Sequence, residues 1–348
     1  MRALPILLTV LALVPGPALA QSGTSQPTPD DAGILTLQFQ NDLFGGSDQH
    51  FTHGTRFAWL SPESRPWIEN LAALMPIYDP GVKRRASYSL GQNIYTPSDI
   101  TRNPPDPTDR PYAGWLYVGV GLVAEKDNRL DNVELDLGVV GPAAFADTVQ
   151  TRWHRAFDLT HPEGWDHQLK NEPGVILFYE RKWRMAKPLP LTWPVPLPNL
   201  AVDATPHAGL ALGNVFTYGA GGVMLRLGQD LPSDYGPPRI RPSLPGGDFF
   251  RPTVNDGPLS GLGVKGFGWY VFGGAELRAV GRNIFLDGNT FADSRSVSKK
   301  FMVADFQVGL AVTLDRYRLA YTHIFRTPEF EGQGKPDQFG ALSLSVRF

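Results

Sequence analysis

From Ile34 to Asn41 apolar and polar residues alternate. Leu35, Leu37 and Phe39 fall on one face, and Thr36, Gln38 and Gln40 on the other. A period of two is that of a strand with one greasy and one wet side. The run ends at Asn41-Asp42 and a Gly45-Gly46 turn, and a second strand returns through Phe57 and Trp59. This predicts a hairpin with oxygen-bearing side chains at its mouth. The rhythm recurs down the chain. Val133, Leu135, Leu137 and Val139 share a face opposite Glu134 and Asp136. Met302, Ala304, Phe306, Val308, Leu310, Val312 and Leu314 do the same opposite Asp305, Gln307, Gly309, Ala311 and Thr313. The last run is Leu342-Ser-Leu-Ser-Val-Arg-Phe348. In all, about twelve such segments follow one another, a number that suits a membrane barrel.

The occupants of the polar faces set the class. They include Glu180, Lys182, Asp203, His207, Arg226, Glu276, Arg278, Arg318 and Arg347. A soluble sandwich turns alternate residues into a dry core and does not seat charges there so regularly. A membrane barrel turns its apolar face to lipid and its polar face to the lumen. The expected fold is therefore all-β: a transmembrane antiparallel β-barrel of about twelve strands, 33–348, with a short helix in an extracellular loop. Interior charges of both signs predict a plugged lumen. Trp59, Trp115, Tyr117, Trp183, Trp269 and Tyr317 are expected as interfacial girdle aromatics.

Strand parity places the connections. With the N-terminus on the periplasmic side, the outer connections are 45–50, 95–111, 141–171, 213–218, 281–298 and 326–337. The opposite side has the short links 126–130 and 314–317 and longer ones at 62–85, 188–198 and 231–266. The last exceeds an ordinary periplasmic turn. Within the third outer connection, 143–157 lacks Gly and Pro and is predicted to be helical, with Gln150 and His154, four apart, on one face.

Composition narrows the chemistry. The 348 residues carry a formal charge of -2, which argues against a nucleic-acid partner. There is no cysteine, so disulfides and thiolate chemistry are excluded. The 37 glycines and 32 prolines suit many turns. Arg2, the apolar run from Leu4 to Leu13, and Ala18-Leu19-Ala20 have the form of a signal peptide over 1–20, followed by a flexible leader over 21–32.

Asn41 and Asp42 are hard oxygen ligands suited to Ca²⁺, which polarises an ester carbonyl. A neutral His154 can take a proton from water. Together they could hydrolyse an ester without a covalent intermediate. Strict alternation puts Asn41 outward and Asp42 inward, so both reach one metal only if the strand bulges or twists at its end. His50 and His53 are three apart and make a poor zinc pair on a strand. No Gly-x-Ser-x-Gly elbow occurs, which weakens a serine hydrolase. Two alternatives stay open: a serine-dependent outer-membrane phospholipase using Ser294 or Ser296, and a non-catalytic barrel acting as a narrow pore or adhesin.

The chain resembles the outer-membrane lipid A 3'-O-deacylases. The resemblance rests on Asn41-Asp42 with Asp48, Phe51-Thr52 and Gly54, then Asp109-Arg-Pro-Tyr-Ala-Gly-Trp115, Gly141-Pro142, Gln150-x-x-x-His154 and Gly164-Trp165-x-x-Gln168. It extends through Phe285-Leu-Asp-Gly-Asn-Thr-Phe291 and Arg326-Thr-x-Glu-Phe-x-Gly-Gln333. It implies a twelve-stranded barrel whose site lies between the wall and an outer-loop helix. It also implies Ca²⁺-dependent release of the 3'-linked acyloxyacyl group of lipid A, by a mechanism similar to that of secreted phospholipase A2. Carried over, Asp42 and Asn41 organise the calcium site, His154 is the base, Gln150 supports it, and Glu163 helps hold the metal. Arg110 is expected to grip phosphate in place of a lysine that some members use, with Tyr112 and Trp165 as further substrate contacts. Phe51 and His53 depart from the family's usual Tyr and Asn. A monomer in the outer membrane, acting on lipopolysaccharide from the extracellular side, is the expected setting.

Overall fold

The computed structural model describes residues 32–45, 50–63, 82–188, 199–240, 249–250 and 265–348. The expected signal peptide, nearly all of the leader, Asp48, and most of the 62–85, 188–198 and 231–266 connections lie outside the described residues.

The alternating segments are strands: β1 Ile34–Asn41, β2 His50–Leu60, β3 Lys83–Thr96, β4 Ala113–Lys126, β5 Arg129–Val140, β6 Glu172–Trp183, β7 Met185–Pro188, β8 Leu200–Gly213, β9 Phe216–Gln229, β10 Gly268–Asn283, β11 Met302–Leu314, β12 Tyr317–Arg326 and β13 Asp337–Arg347. Each pairs antiparallel with its neighbours, β1 pairs with β13, and β6 pairs with β8, so the sheet closes on itself. The short β7 is the continuation of β6 along β8 in unchanged register. Lys182 faces His207 and Met185 faces Ala204. The ladder lapses between them, where Trp183 lies opposite Pro206, which has no N–H to give. The wall therefore has twelve staves, one of them interrupted.

The faces follow the expected parity. Leu35, Phe57, Leu90, Val118, Leu135, Leu177, Leu225, Val271, Phe306, Leu310 and Leu319 are exposed, forming the apolar belt of a lipid-facing wall. Thr36, Gln38, Glu134, Glu180, Arg226, Arg278, Asp305 and Arg318 are buried inside. Trp115 and Tyr117 correct the expected girdle. They are buried and stacked on one another at 5.5 Å, because Val118 and Val120 take the lipid-facing positions and so turn the odd residues of this stretch inward. Trp59 and Trp183 do reach the outer surface.

The lumen is filled. Arg278 and Arg326 both bond Asp305, at 3.0 and 2.9 Å. The long connection after β9 enters the lumen from the end of the barrel opposite the 141–171 connection: Asp234 pairs with Arg226 and Arg318, Arg239 with Asp305, and Phe250 lies under the Arg318 guanidinium. The 231–266 connection, unexplained by sequence, thus supplies an internal plug in its described part. At the other end Arg110 pairs with Glu329 at 3.3 Å, and Phe285 stacks on Tyr95 at 4.0 Å. Among the described residues no helix is long and apolar enough to span a membrane, a statement that does not bear on spanning strands.

Candidate functional site

The site begins where β1 stops. Asn41 ends the strand, and Asp42–Gly45 forms a single 3-10 turn. The Asn41 side chain builds that turn: its Oδ1 accepts from the Leu43 N–H at 2.9 Å, and its Nδ2 donates to the Thr52 carbonyl at 2.9 Å. The turn ends the alternation and swings Asp42 out of the inward register. On the facing strand, Phe51 pairs with Tyr95 but His53 pairs with Ile94, which leaves Thr52 as a bulged residue. Turn and bulge together break the strict alternation, as irregularities beside sites do, and Asn41 and Asp42 both line one cavity.

The second half comes from the 141–171 connection. A 3-10 turn over Pro142–Ala144 precedes helix α1, Ala146–Phe157. The helix starts three residues later than 143–157 because Phe145 takes a left-handed conformation (φ 56) between the two. Its buried stripe is Ala146, Gln150 and His154, every fourth residue. Gly114 on β4 admits the helix: a Cβ there would lie 2.5 Å from the Ala146 Cβ. Trp153 packs on Phe39 and His53 at ring distances of 5.6 and 6.0 Å. Phe39 belongs to the outward set of β1, so α1 lies against the lipid-facing side of the wall.

Between helix and wall is a narrow cavity of about 10 Å³, lined by Asn41, Asp42, Thr52, His53, Gln150 and His154 among others. That is about the room one water needs. Asp42 and His154 are 1% and 2% exposed, so both act in a poorly hydrated setting. The Nδ1–H of His154 donates to the Thr160 carbonyl, which the chain reversal at Asp158 brings over the ring. This fixes the tautomer and leaves Nε2 as the basic nitrogen of the neutral ring.

Asn41, Asp42, Gln150 and His154, read as one set in the sequence, are brought together. The other expected residues are not at the cavity. The Glu163 carboxylate is exposed and pairs with His161 at 3.4 Å, because its backbone N–H is committed to the Ile100 carbonyl and turns the side chain outward. Arg110 is fully buried, paired with Glu329 and set over the Tyr95 ring at 5.0 Å, so it cannot grip a phosphate from outside. Tyr112 is fully buried and donates to the Ile100 carbonyl at 3.0 Å. Trp165 packs on Tyr112 and donates to Gln150 Oε1 at 2.8 Å. Sequence reasoning had not placed Thr52, Ile94, Val149 and Trp153 at the site. Trp153 was legible in principle, three residues from Gln150 on the same helix; Thr52 depends on the bulge.

No cluster of three or more His, Asp or Glu able to hold a metal occurs among the described residues. The residues lining the cavity do carry hard oxygens and no sulfur, Asp42 and Asn41 among them, while the Thr52 hydroxyl is bonded to that of Thr96 at 2.7 Å. That donor chemistry fits a hard divalent cation, with water completing its shell.

A closed barrel with an apolar belt, a lumen filled among the described residues and a buried cavity holding His154 and Asp42 against its wall defines an integral membrane barrel with a wall-side site. The chain belongs to the LpxR family of outer membrane proteins: the family described as outer membrane protein LpxR matches residues 5–348. Its fold is shared by LpxR from Salmonella typhimurium, at TM-score 0.68 and 20% identity, over 90% of this chain and 100% of that one. Weaker likenesses, which carry no weight here, are to the β domain of the Bordetella autotransporter BrkA and the translocator domain of the autotransporter NalP from Neisseria meningitidis. Their TM-scores are 0.40 and 0.34 and their identities 10% and 8%; they cover 91% of this chain and 98% and 88% of theirs. No curated protein sequence matches significantly.

Proposed function

We propose that the protein is a lipid A 3'-O-deacylase that hydrolyses the ester holding the 3'-linked acyloxyacyl group, from the outer face of the outer membrane. The observation that carries this reading is the shared cavity of Asp42 and His154 on the lipid-facing side of the outer rim. A lipid held in the outer leaflet can bring an ester to that position without leaving the bilayer.

His154 is the base. Its Nε2 removes a proton from a water in the cavity, and the resulting hydroxide attacks the ester carbonyl. The imidazolium then returns the proton to the departing sugar oxygen, so acid and alcohol leave and the ring is neutral again. Thr160 holds the ring in position through both steps. Exclusion of bulk water by Ile94, Val149 and Trp153 strengthens each charge interaction inside. The Asp42 carboxylate and Asn41 Oδ1 are the groups that would hold a calcium ion, which when bound would supply positive charge to the carbonyl oxygen. Asn41 also keeps the 3-10 turn that presents Asp42.

The serine alternative finds no support at Ser294, whose hydroxyl accepts from the Asn289 N–H in a loop turn. Purified protein, in detergent with lipid A, tests the proposal. Calcium is expected to permit release of the acyloxyacyl acid, and a chelator to stop it reversibly. Release that continues unchanged after exhaustive chelation would remove the metal from the mechanism.

A further inference from the structure

Trp165 was expected at the substrate; in the structure its indole N–H is bonded to Gln150, and the inference drawn from that contact rests on the deacylase reading. Gln150 is 2% exposed and lines the cavity beside His154. Its Oε1 accepts the indole N–H of Trp165 at 2.8 Å. Its Nε2 is buried and donates to no protein atom among the described residues. A glutamine amide has nearly the same shape when its oxygen and nitrogen are exchanged, so only its partners decide which end points where. An indole N–H donates and cannot accept. It therefore selects the oxygen end and turns the N–H end toward the cavity.

Trp165 is itself held from behind. Its ring lies 4.8 Å from that of Tyr112, whose hydroxyl is tied to the Ile100 carbonyl. The same carbonyl accepts the Glu163 N–H. Gly164 allows the close approach: a Cβ there would meet Tyr112 and Pro105, each at 2.6 Å. Ile94, Ile100, Tyr112, Ala146 and Trp165 form one buried cluster under α1. Trp165 does not line the cavity, so it acts through Gln150.

We propose that Trp165 is a positioning residue that fixes the Gln150 amide with its N–H toward the reacting ester, as a donor to a substrate oxygen. The Gly164-Trp165 pair and the Gln150–His154 pair are then one device, although they lie on different parts of the loop.

The test is a double-mutant cycle on acyl release. Trp165→Phe keeps a ring on Tyr112 and removes only the N–H. It is expected to lower kcat about fivefold, the worth of one buried hydrogen bond, with KM little changed. In a Gln150→Ala background the same change is expected to cost nothing further. A second readout needs no activity: in the folded protein the Trp165 indole proton, identified by its loss in Trp165→Phe, is expected to exchange slowly with deuterium and to exchange faster in Gln150→Ala. Wild-type kcat in Trp165→Phe, independent losses that multiply, or indole exchange indifferent to Gln150→Ala would each overturn the assignment. A wild-type protein that releases no acyl chain would sink the deacylase reading instead, while the exchange measurement still decides the coupling between Trp165 and Gln150.

Discussion

At the residue scale, the proposed reaction depends on one imidazole whose proton is placed by a backbone carbonyl. His154→Ala is expected to lower acyl release by a hundredfold to ten-thousandfold, roughly the range for loss of a general base, while the barrel still folds and shifts on heating in gels. Retained release would take the base role from His154. Asp109 offers a pH test. Burial disfavours its charge, but the His50 ring at 3.6 Å and the Ser98 N–H and hydroxyl outweigh this and hold its carboxyl well below the ordinary 3.8. A carboxyl depressed by folding adds stability above its unfolded pKa and loses it as pH falls through the folded one. Hydrogen exchange in loop 97–112 is therefore expected to be faster in Asp109→Asn than in wild type at neutral pH, the gap closing only below the ordinary value. A gap that already closes near pH 6 would contradict this. Asn41, Asp42, Gln150 and His154 were legible because residue type and helical spacing announce them. The true places of Arg110 and Tyr112 were not, since their partners Glu329 and Ile100 are set by folding, one of them from another loop.

At the element scale, the site exists because α1 lies on the wall, and Gly114 is the contact that permits it. Gly114→Val is expected to push α1 away from β4 and lower acyl release at least about tenfold, since small misplacements of catalytic groups are costly. Heat-modifiable migration is expected to persist. Full activity in that variant would show that the helix tolerates displacement. The strands themselves were readable from period two alone, and from parity which connections share one end of the barrel. The break between β6 and β7 was not foreseen, although Pro206 marks it. Nor was the inward turn of Trp115 and Tyr117. In a run where Trp115, Leu116, Tyr117 and Val118 are all apolar, alternation gives no phase, and the register comes only from the rest of β4.

At the scale of the whole molecule, a filled lumen separates an enzyme-like barrel from a channel. The protein is expected to show no steady conductance in planar bilayers, and open-channel currents would contradict the plug. Asp234 ties the connection after β9 to Arg226 and Arg318. Asp234→Asn leaves two buried guanidinium groups short of a carboxylate. It is expected to cost roughly 3–5 kcal/mol in urea unfolding; an unchanged midpoint would show that the connection does not brace the barrel. Mixed interior charges announced a plug in the sequence. That the plug is partly the 231–266 connection could not be read there, because its pairing with distant strands leaves no local pattern.

The most direct measurement is the mass spectrum of lipid A from a host that makes a 3'-acyloxyacylated form, expressing either the wild-type protein or His154→Ala. The account predicts a species lighter by the 3'-linked acyloxyacyl group with the wild type, and intact lipid A with the variant, both barrels being present in the outer membrane. Unchanged lipid A in the calcium-replete wild-type strain, or the same lighter species from His154→Ala, would contradict it.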